Sequence, residues 1–416
     1  MSKLNPRAFL TRVYVPWPCH SSNELRIPAC HSTIRIPSEL PHAHCPLPTT
    51  ATTTANNHLY NRGGLSVMTS TSHSPELSPV ASRTSSESIR SDSTHEHSRS
   101  ISDIEETIEE TCYICDVIPH KGRGLVASRS LKRGELLFTE PPLFSFPLSP
   151  PPNNSSIMIA LSQCSREQQQ QYFTLANSFK EKKEILPAQG IFLSNYIPYR
   201  DANSGSGEDE SGERGGIFLF ASYFNSSCTP NVSRYWDASK RVMMFRTLWD
   251  IEDGEELCFN YGDILGTRAD RIEELSTERG FVCLCEACNV MGESIEETLA
   301  QSDERRATIA RLYDEVGSCG KEPTLGLRKI KKALRLLKDE HLVHYEASFC
   351  YDAFQFCAMV SDFVNAKQWI RKAYDVSVCT SGPESESARM FRMYLANPKA
   401  HPLAGILSKG VLSGPD

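Results

Sequence analysis

Three cysteines at C-x-C-x-x-C spacing, Cys283, Cys285 and Cys288, are the densest chemical signal in the chain. A fourth, Cys228, lies well upstream in Phe224-Asn225-Ser226-Ser227-Cys228-Thr229-Pro230-Asn231. Thiolate is a favoured zinc ligand, and a structural zinc takes four ligands. Four sulfurs leave no open position for water, so such an ion braces structure and does no chemistry itself. Cys258 is a rival fourth ligand, but it sits mid-strand, where alternation does not favour its reaching the cluster. The bland alternative makes all of these core thiols; the spacing is a common ligand pattern and favours metal. Between Cys228 and the cluster runs Gly254-Glu255-Glu256-Leu257-Cys258-Phe259-Asn260-Tyr261, a turn and a strand ended by a tyrosine. That order of parts points to an active site stapled by metal.

The chain around these residues has 416 residues and a net charge of -7. The length allows two or three domains. The charge implies no general nucleic-acid affinity. No apolar run reaches the ~18 residues of a membrane span. Fifteen cysteines, an odd number in a long chain without a visible signal peptide, favour a reducing compartment with metal-bound or buried thiols.

Residues 1–105 are dominated by Ser, Thr, Pro and His and are expected to be disordered, since they bury too little apolar surface to offset chain entropy. Residues 1–23 hold Lys3, Arg7 and Arg12 and no acid, a faint transit-peptide composition without an amphipathic pattern. A translation start at Met68, which opens a plain Ser-rich tail, is the favoured reading of this end. Order is expected from Thr111. Cys112 to Val126 reads as β, with Cys112 and Cys115 as buried strand residues, because free cysteine behaves as a small hydrophobe. Residues 155–185 read as a helical insert, Gly190–Asn195 as a strand-like piece and 201–216 as a flexible acidic loop. Strands are expected at 234–236, 241–246 and 256–261. After Cys288, five stretches between Ala307 and Leu395 place apolar residues at i, i+3, i+4 and i+7. They predict antiparallel helix pairs, similar to tetratricopeptide hairpins but without that repeat. A helical cap on the β domain is favoured over a peptide-binding solenoid.

The separated pieces resemble, in order, the SET-domain protein lysine methyltransferases. Gly122-Arg123-Gly124-Leu125 resembles the first cofactor motif, and Asn225-Ser-Ser-Cys228-Thr-Pro-Asn231 the family's Asn-His-Ser-Cys-x-Pro-Asn. Gly254 to Tyr261 resembles the catalytic strand, and Phe281 to Cys288 the post-SET zinc segment. The helical tail is most similar to the SET-and-MYND branch, though no MYND finger is visible in the SET region. The implied fold class is α+β: a mostly β SET domain over 111–264, a post-SET zinc segment over 265–290 and a helical domain over 300–416.

The resemblance implies methyl transfer from S-adenosylmethionine to a lysine amine, with Tyr261 as the catalytic residue. It implies cofactor contacts from Lys121, Gly122, Arg123, Gly124, Asn195, Ser222, Phe224, Asn225, Ser226, Tyr261 and Phe281. The glycines would let the backbone approach the cofactor, Asn225 would hold its amino-acid end, and Phe281 would cover the adenine. A structural zinc would sit on Cys228, Cys283, Cys285 and Cys288. Lysine has a pKa of about 10.4 and must lose its proton before attack. An apolar channel favours the neutral amine, and a tyrosine hydroxyl can orient it. Ser226 replaces the family histidine and opens a second reading, a catalytically weak SET protein that acts as a scaffold. A zinc-dependent transcription factor is a poor third reading, because no basic recognition helix accompanies the ligands. The implied partner is a lysine-bearing protein or peptide, a histone among the candidates, with no membrane or direct nucleic-acid partner. The expected protein is a monomer of the nucleus or cytoplasm.

Overall fold

A computed structural model describes residues 111–201, 213–289 and 295–416. The expectations for residues 1–105, Met68 and most of the acidic loop lie outside the described residues.

The chain starts with a hairpin, β1 (Tyr113–Ile118) and β2 (Gly122–Ala127). Gly122 closes its turn at φ 81°, a left-handed conformation that costs other residues strain. Three more short strands build outward: β3 (Leu136–Glu140), β4 (Phe144–Pro147) and, after the helical insert, β5 (Ile197–Arg200). The insert holds α1 (Asn154–Ser162), α2 (Arg166–Thr174) and α3 (Pro187–Asn195). Gly190–Asn195 is therefore helix, not strand. Five of its six residues are buried, and an apolar run enclosed on all sides carries no period to tell helix from strand. Then follow β6 (Glu213–Ile217), β7 (Asn225–Ser226), β8 (Val232–Asp237), β9 (Val242–Thr247) and β10 (Glu256–Phe259). β6 starts inside the predicted acidic loop, where it pairs with both β4 and β5. Cys115 also departs from expectation: Cys112 is buried, but Cys115 is exposed, because among the described residues nothing covers either face of β1 from Ile114 to Val117.

One sheet matters most for the site. Its order is β1-β2-β10-β7. β10 pairs antiparallel with β2, Leu257 opposite Leu125, and parallel with β7, Cys258 opposite Asn225 and Phe259 opposite Ser226. Two motifs far apart in sequence thus become neighbours. The core beneath is aromatic: Phe138, Phe224 and Phe245 stack at centroid distances of 4.9 to 5.6 Å.

Beyond α4 (Arg268–Glu278), the chain is helical: α5 (Ile295–Gly317), α6 (Pro323–Asp339), α7 (Glu346–Met359), α8 (Phe363–Ser381) and α9 (Glu386–Ala396). The five predicted helices are present. α7 is buried from Ala347 to Met359, so its neighbours wrap around it. Among the described residues no helix is long and apolar enough to cross a membrane. The end of α8 packs on the β region, where Ser233 Oγ donates to the Thr380 carbonyl at 2.7 Å. A second tie is Arg306 of α5, fully buried, which donates to the carbonyls of Cys228 and Ile264. Its Nε pairs with Glu340 at 2.7 Å, just past α6.

Candidate active site

Cys228, in the loop between β7 and β8, meets Cys283, Cys285 and Cys288, and the four sulfurs lie within 4.8 Å of one another. Cys228 Sγ is 3.6 Å from that of Cys288 and 4.0 Å from that of Cys283. A tetrahedral zinc with bonds of about 2.3 Å spaces sulfurs about 3.8 Å apart, so the cluster fits the ion. The second layer fits as well. The Cys228 N–H donates to Cys285 Sγ at 3.4 Å, and buried Arg271 of α4 reaches Cys288 Sγ at 3.7 Å. Four thiolates around a divalent ion leave net negative charge, and Arg271 offsets part of it. Cys258 is not in the cluster; it is buried within β10.

Next to the cluster a cavity of about 300 Å³ opens. Nine of the eleven predicted cofactor residues line it. Lys121, Gly122 and Arg123 come from the hairpin turn, and Asn195 from the end of α3. Ser222, Asn225 and Ser226 come from β7 and the turn before it, Tyr261 from beyond β10, and Phe281 from the cysteine segment. Gly124 and Phe224 do not line it. A Cβ on Gly124 would lie 2.8 Å from Asn225 Nδ2 and 2.5 Å from Ile118. Its bare backbone thus makes room for the asparagine, not for a ligand. The Phe224 ring is fully buried in the aromatic core.

Both asparagines have committed their N–H groups. Asn225 Nδ2 donates to Glu256 Oε1 at 2.8 Å and to the Arg123 carbonyl at 3.3 Å. Asn195 Nδ2 donates to the carbonyls of Ala176 and Ile191 at 2.7 and 2.6 Å. Each therefore has its side-chain oxygen left to offer, and a ligand there must donate. Glu256 also pairs with Lys121 at 2.5 Å. Burial disfavours the Lys121 charge, yet the Glu256 carboxylate outweighs it and holds the ammonium above its usual range.

Tyr261 lies two residues past the end of β10, its N–H donating to Ser226 Oγ at 3.3 Å. Its hydroxyl donates to the Phe224 carbonyl, so Phe224 serves the site through its backbone. Burial pushes the phenol well above its ordinary value, although the Arg279 guanidinium pulls the other way. The hydroxyl therefore stays protonated and is a poor proton acceptor. Arg279 stacks 3.7 Å from the Tyr196 ring centroid and donates to the Tyr196 and Tyr261 carbonyls.

Several residues of the site were not foreseen. Glu256 lies within a quoted motif, yet its bridging role depends on the β2–β10–β7 register. Arg279 carried no signal. His120, Ser194, Val282 and Leu284 also line the cavity. The last two had a readable signal: apolar residues alternate with metal ligands and so face the other way.

A family model described as "SET domain" matches residues 122–262. The chain carries a SET domain. The segment runs from the hairpin glycine to the residue after Tyr261, so it covers three of the four motifs, and the cysteine segment Phe281–Cys288 lies beyond it. Several similar proteins are lysine methyltransferases by name. Schizosaccharomyces pombe "Histone-lysine N-methyltransferase set5" is 29% identical over 290 residues, 69% of this chain and 84% of that protein. Human "Protein-lysine N-trimethyltransferase SMYD5" is 31% identical over 130 residues, 30% of this chain and 29% of that protein. A solved SET domain, of LSMT bound to lysine and AdoHcy, aligns with 68% of this chain and 87% of that one at 13% identity. Its TM-score is 0.29, too low to argue from.

Proposed function

We propose that this chain is a protein-lysine N-methyltransferase dependent on S-adenosylmethionine. One observation carries the reading: two asparagines with only their oxygens to offer share a cavity with a buried, protonated tyrosine. S-adenosylmethionine supplies the methyl group when bound. Its ammonium is the donor that Asn225 Oδ1 and Asn195 Oδ1 call for. Phe281 and Leu284 offer an apolar cover for a flat base. The Tyr261 hydroxyl is fixed by the Phe224 carbonyl, which leaves its oxygen lone pairs to align an uncharged amine. Low local polarity keeps that amine neutral.

Cys228, Cys283, Cys285 and Cys288 would hold a structural zinc that fastens the segment bearing Phe281 beside Asn225. The substrate is a lysine of a histone or another protein, met in the nucleus or cytoplasm, and the helical region is a cap on the SET domain. The scaffold reading leaned on Ser226. Here the serine hydroxyl still ties the backbone of Tyr261, which favours an active enzyme. The test is transfer of labelled methyl to histones and to a protein extract, by wild type and Tyr261→Phe, with calorimetry of S-adenosylhomocysteine. Binding with tyrosine-dependent transfer supports the enzyme. Binding with no transfer by either protein favours the scaffold.

A further inference from the structure

The cationic face of α6 is separate from the cavity and independent of the activity proposed above. In 17 residues α6 carries Arg328, Lys329, Lys331, Lys332, Arg335 and Lys338 against one acid, Asp339. Leu327, Ile330, Ala333 and Leu337 are buried against the other helices. The flanking cations are neutralised, Lys329 by Glu315 at 2.8 Å and Lys331 by Asp416 at 2.5 Å. The row beside them has no direct ion-pair partner, although Glu315 acts on Lys332 and Asp416 on Arg335 at longer range. Arg328, Lys332, Arg335 and Lys338 are exposed, and none makes an ion pair among the described residues. Their spacing of four, three and three residues puts them on one face, where like charges repel. The net charge of -7 describes the whole chain and hides this face.

We propose that this row docks on the phosphate backbone of duplex DNA. From Arg328 to Lys338 the helix rises about 15 Å, a length over which a duplex carries about nine phosphates. The arginines suit bidentate phosphate contacts. α6 has no aromatic residue. That argues against single strands, which need stacking platforms, and against a protein partner, whose interfaces favour aromatic anchors and are poor in lysine.

The test is anisotropy of a labelled duplex, titrated with the full chain across about 50 to 200 mM salt. The comparison is a variant carrying Arg328→Gln, Lys332→Gln, Arg335→Gln and Lys338→Gln. Wild type should bind with a log–log salt slope of about -3 to -4, and the variant should lose at least about tenfold in affinity and nearly all of that slope. Glutamine is a good helix former, and circular dichroism checks that the variant folds. A Lys332→Arg, Lys338→Arg protein should bind like wild type. Equal salt slopes for wild type and the glutamine variant overturn the proposal. So does wild type that ignores duplex at low salt. So does a Glu-rich peptide of matching charge that binds this face as tightly as duplex, which would assign it to an acidic protein.

Discussion

At the residue scale, Tyr261 is held from three sides: its N–H by Ser226, its hydroxyl by the Phe224 carbonyl and its own carbonyl by Arg279. Such a residue works through where its oxygen sits, not through proton exchange. Tyr261→Phe keeps the ring and loses the hydroxyl. It should lower kcat by about a hundredfold, the scale of losing one oriented dipole in an enclosed site. Binding of S-adenosylhomocysteine should change little. Steady-state methyl transfer beside calorimetry checks both. If kcat stayed within twofold, Tyr261 would not be the orienting group. Glu256 is the next residue to probe. Glu256→Gln keeps a partner for Asn225 but removes the charge facing Lys121, so cofactor affinity should fall further than kcat.

At the element scale, the cysteine segment and β7 are one assembly, because Cys228 lies three residues past Asn225. Metal analysis should find one zinc per chain. Cys288→Ser, or a strong chelator, should abolish cofactor binding, since without the ion the cysteines revert to thiols and nothing ties the Phe281 segment to the Asn225 loop. Full binding by zinc-free protein would refute the bracing role. A second element-scale prediction concerns α7 and the turn at Pro398–Ala400. His401 Nδ1 accepts from the Leu403 N–H at 3.2 Å, while Nε2 faces the Tyr351 hydroxyl at 3.2 Å. A proton on Nδ1 would break the first bond, and burial pushes the ring down to about 4 from 6.5. Between those values the unfolded chain takes up the proton and the folded chain does not. Stability should therefore fall as pH drops from about 6.5 to 4, by up to about 3 kcal/mol. Melting temperature against pH, compared with His401→Gln, reads this: the variant's curve should be flatter over that window.

The elements also explain what was legible. Most of the cavity-lining residues could be named because glycines and asparagines sit at fixed offsets within short motifs, and short motifs keep their local shape. The five C-terminal helices were legible because each has one dry face, at 3.6-residue spacing. α3 was not, since Ile191, Phe192 and Ser194 are enclosed on all sides. The Glu256 bridge was not either, because a strand register between distant segments leaves no trace in the residues themselves. Gly124 stands outside the cavity lining, and a Cβ there would meet the Asn225 side chain, a contact its motif did not reveal.

At the scale of the whole molecule, the helical region reaches the SET domain through Arg306, which pairs with Glu340 among the helices and donates to the Cys228 and Ile264 carbonyls. Arg306→Ala would leave the Cys228 and Ile264 carbonyls without their donor, while Glu340 keeps Arg305 at 2.6 Å and Ser302 at 2.7 Å, and should cost about 1–3 kcal/mol. Replacing the pair together, Arg306→Met with Glu340→Leu, should lose a similar amount, because the same two carbonyls stay unpaired. Denaturant unfolding of both proteins checks it. Comparable losses in the two would mean that the hydrogen bonds to the Cys228 and Ile264 carbonyls, not the charge pair, hold the junction.

The same long-range ties set an order for biosynthesis. Lys121 emerges early, but its partner Glu256 is made 135 residues later. At ribosomal speeds of about 5–20 residues per second, that is a wait of roughly 7–27 s. Throughout it β2 has no β10. Arg306 and Glu340 come later still, so the thiols of Cys228 and its partners are made before the helices that shield them. A nascent chain of this protein is thus a long-lived client for whatever guards exposed strand edges and free thiols beside the ribosome.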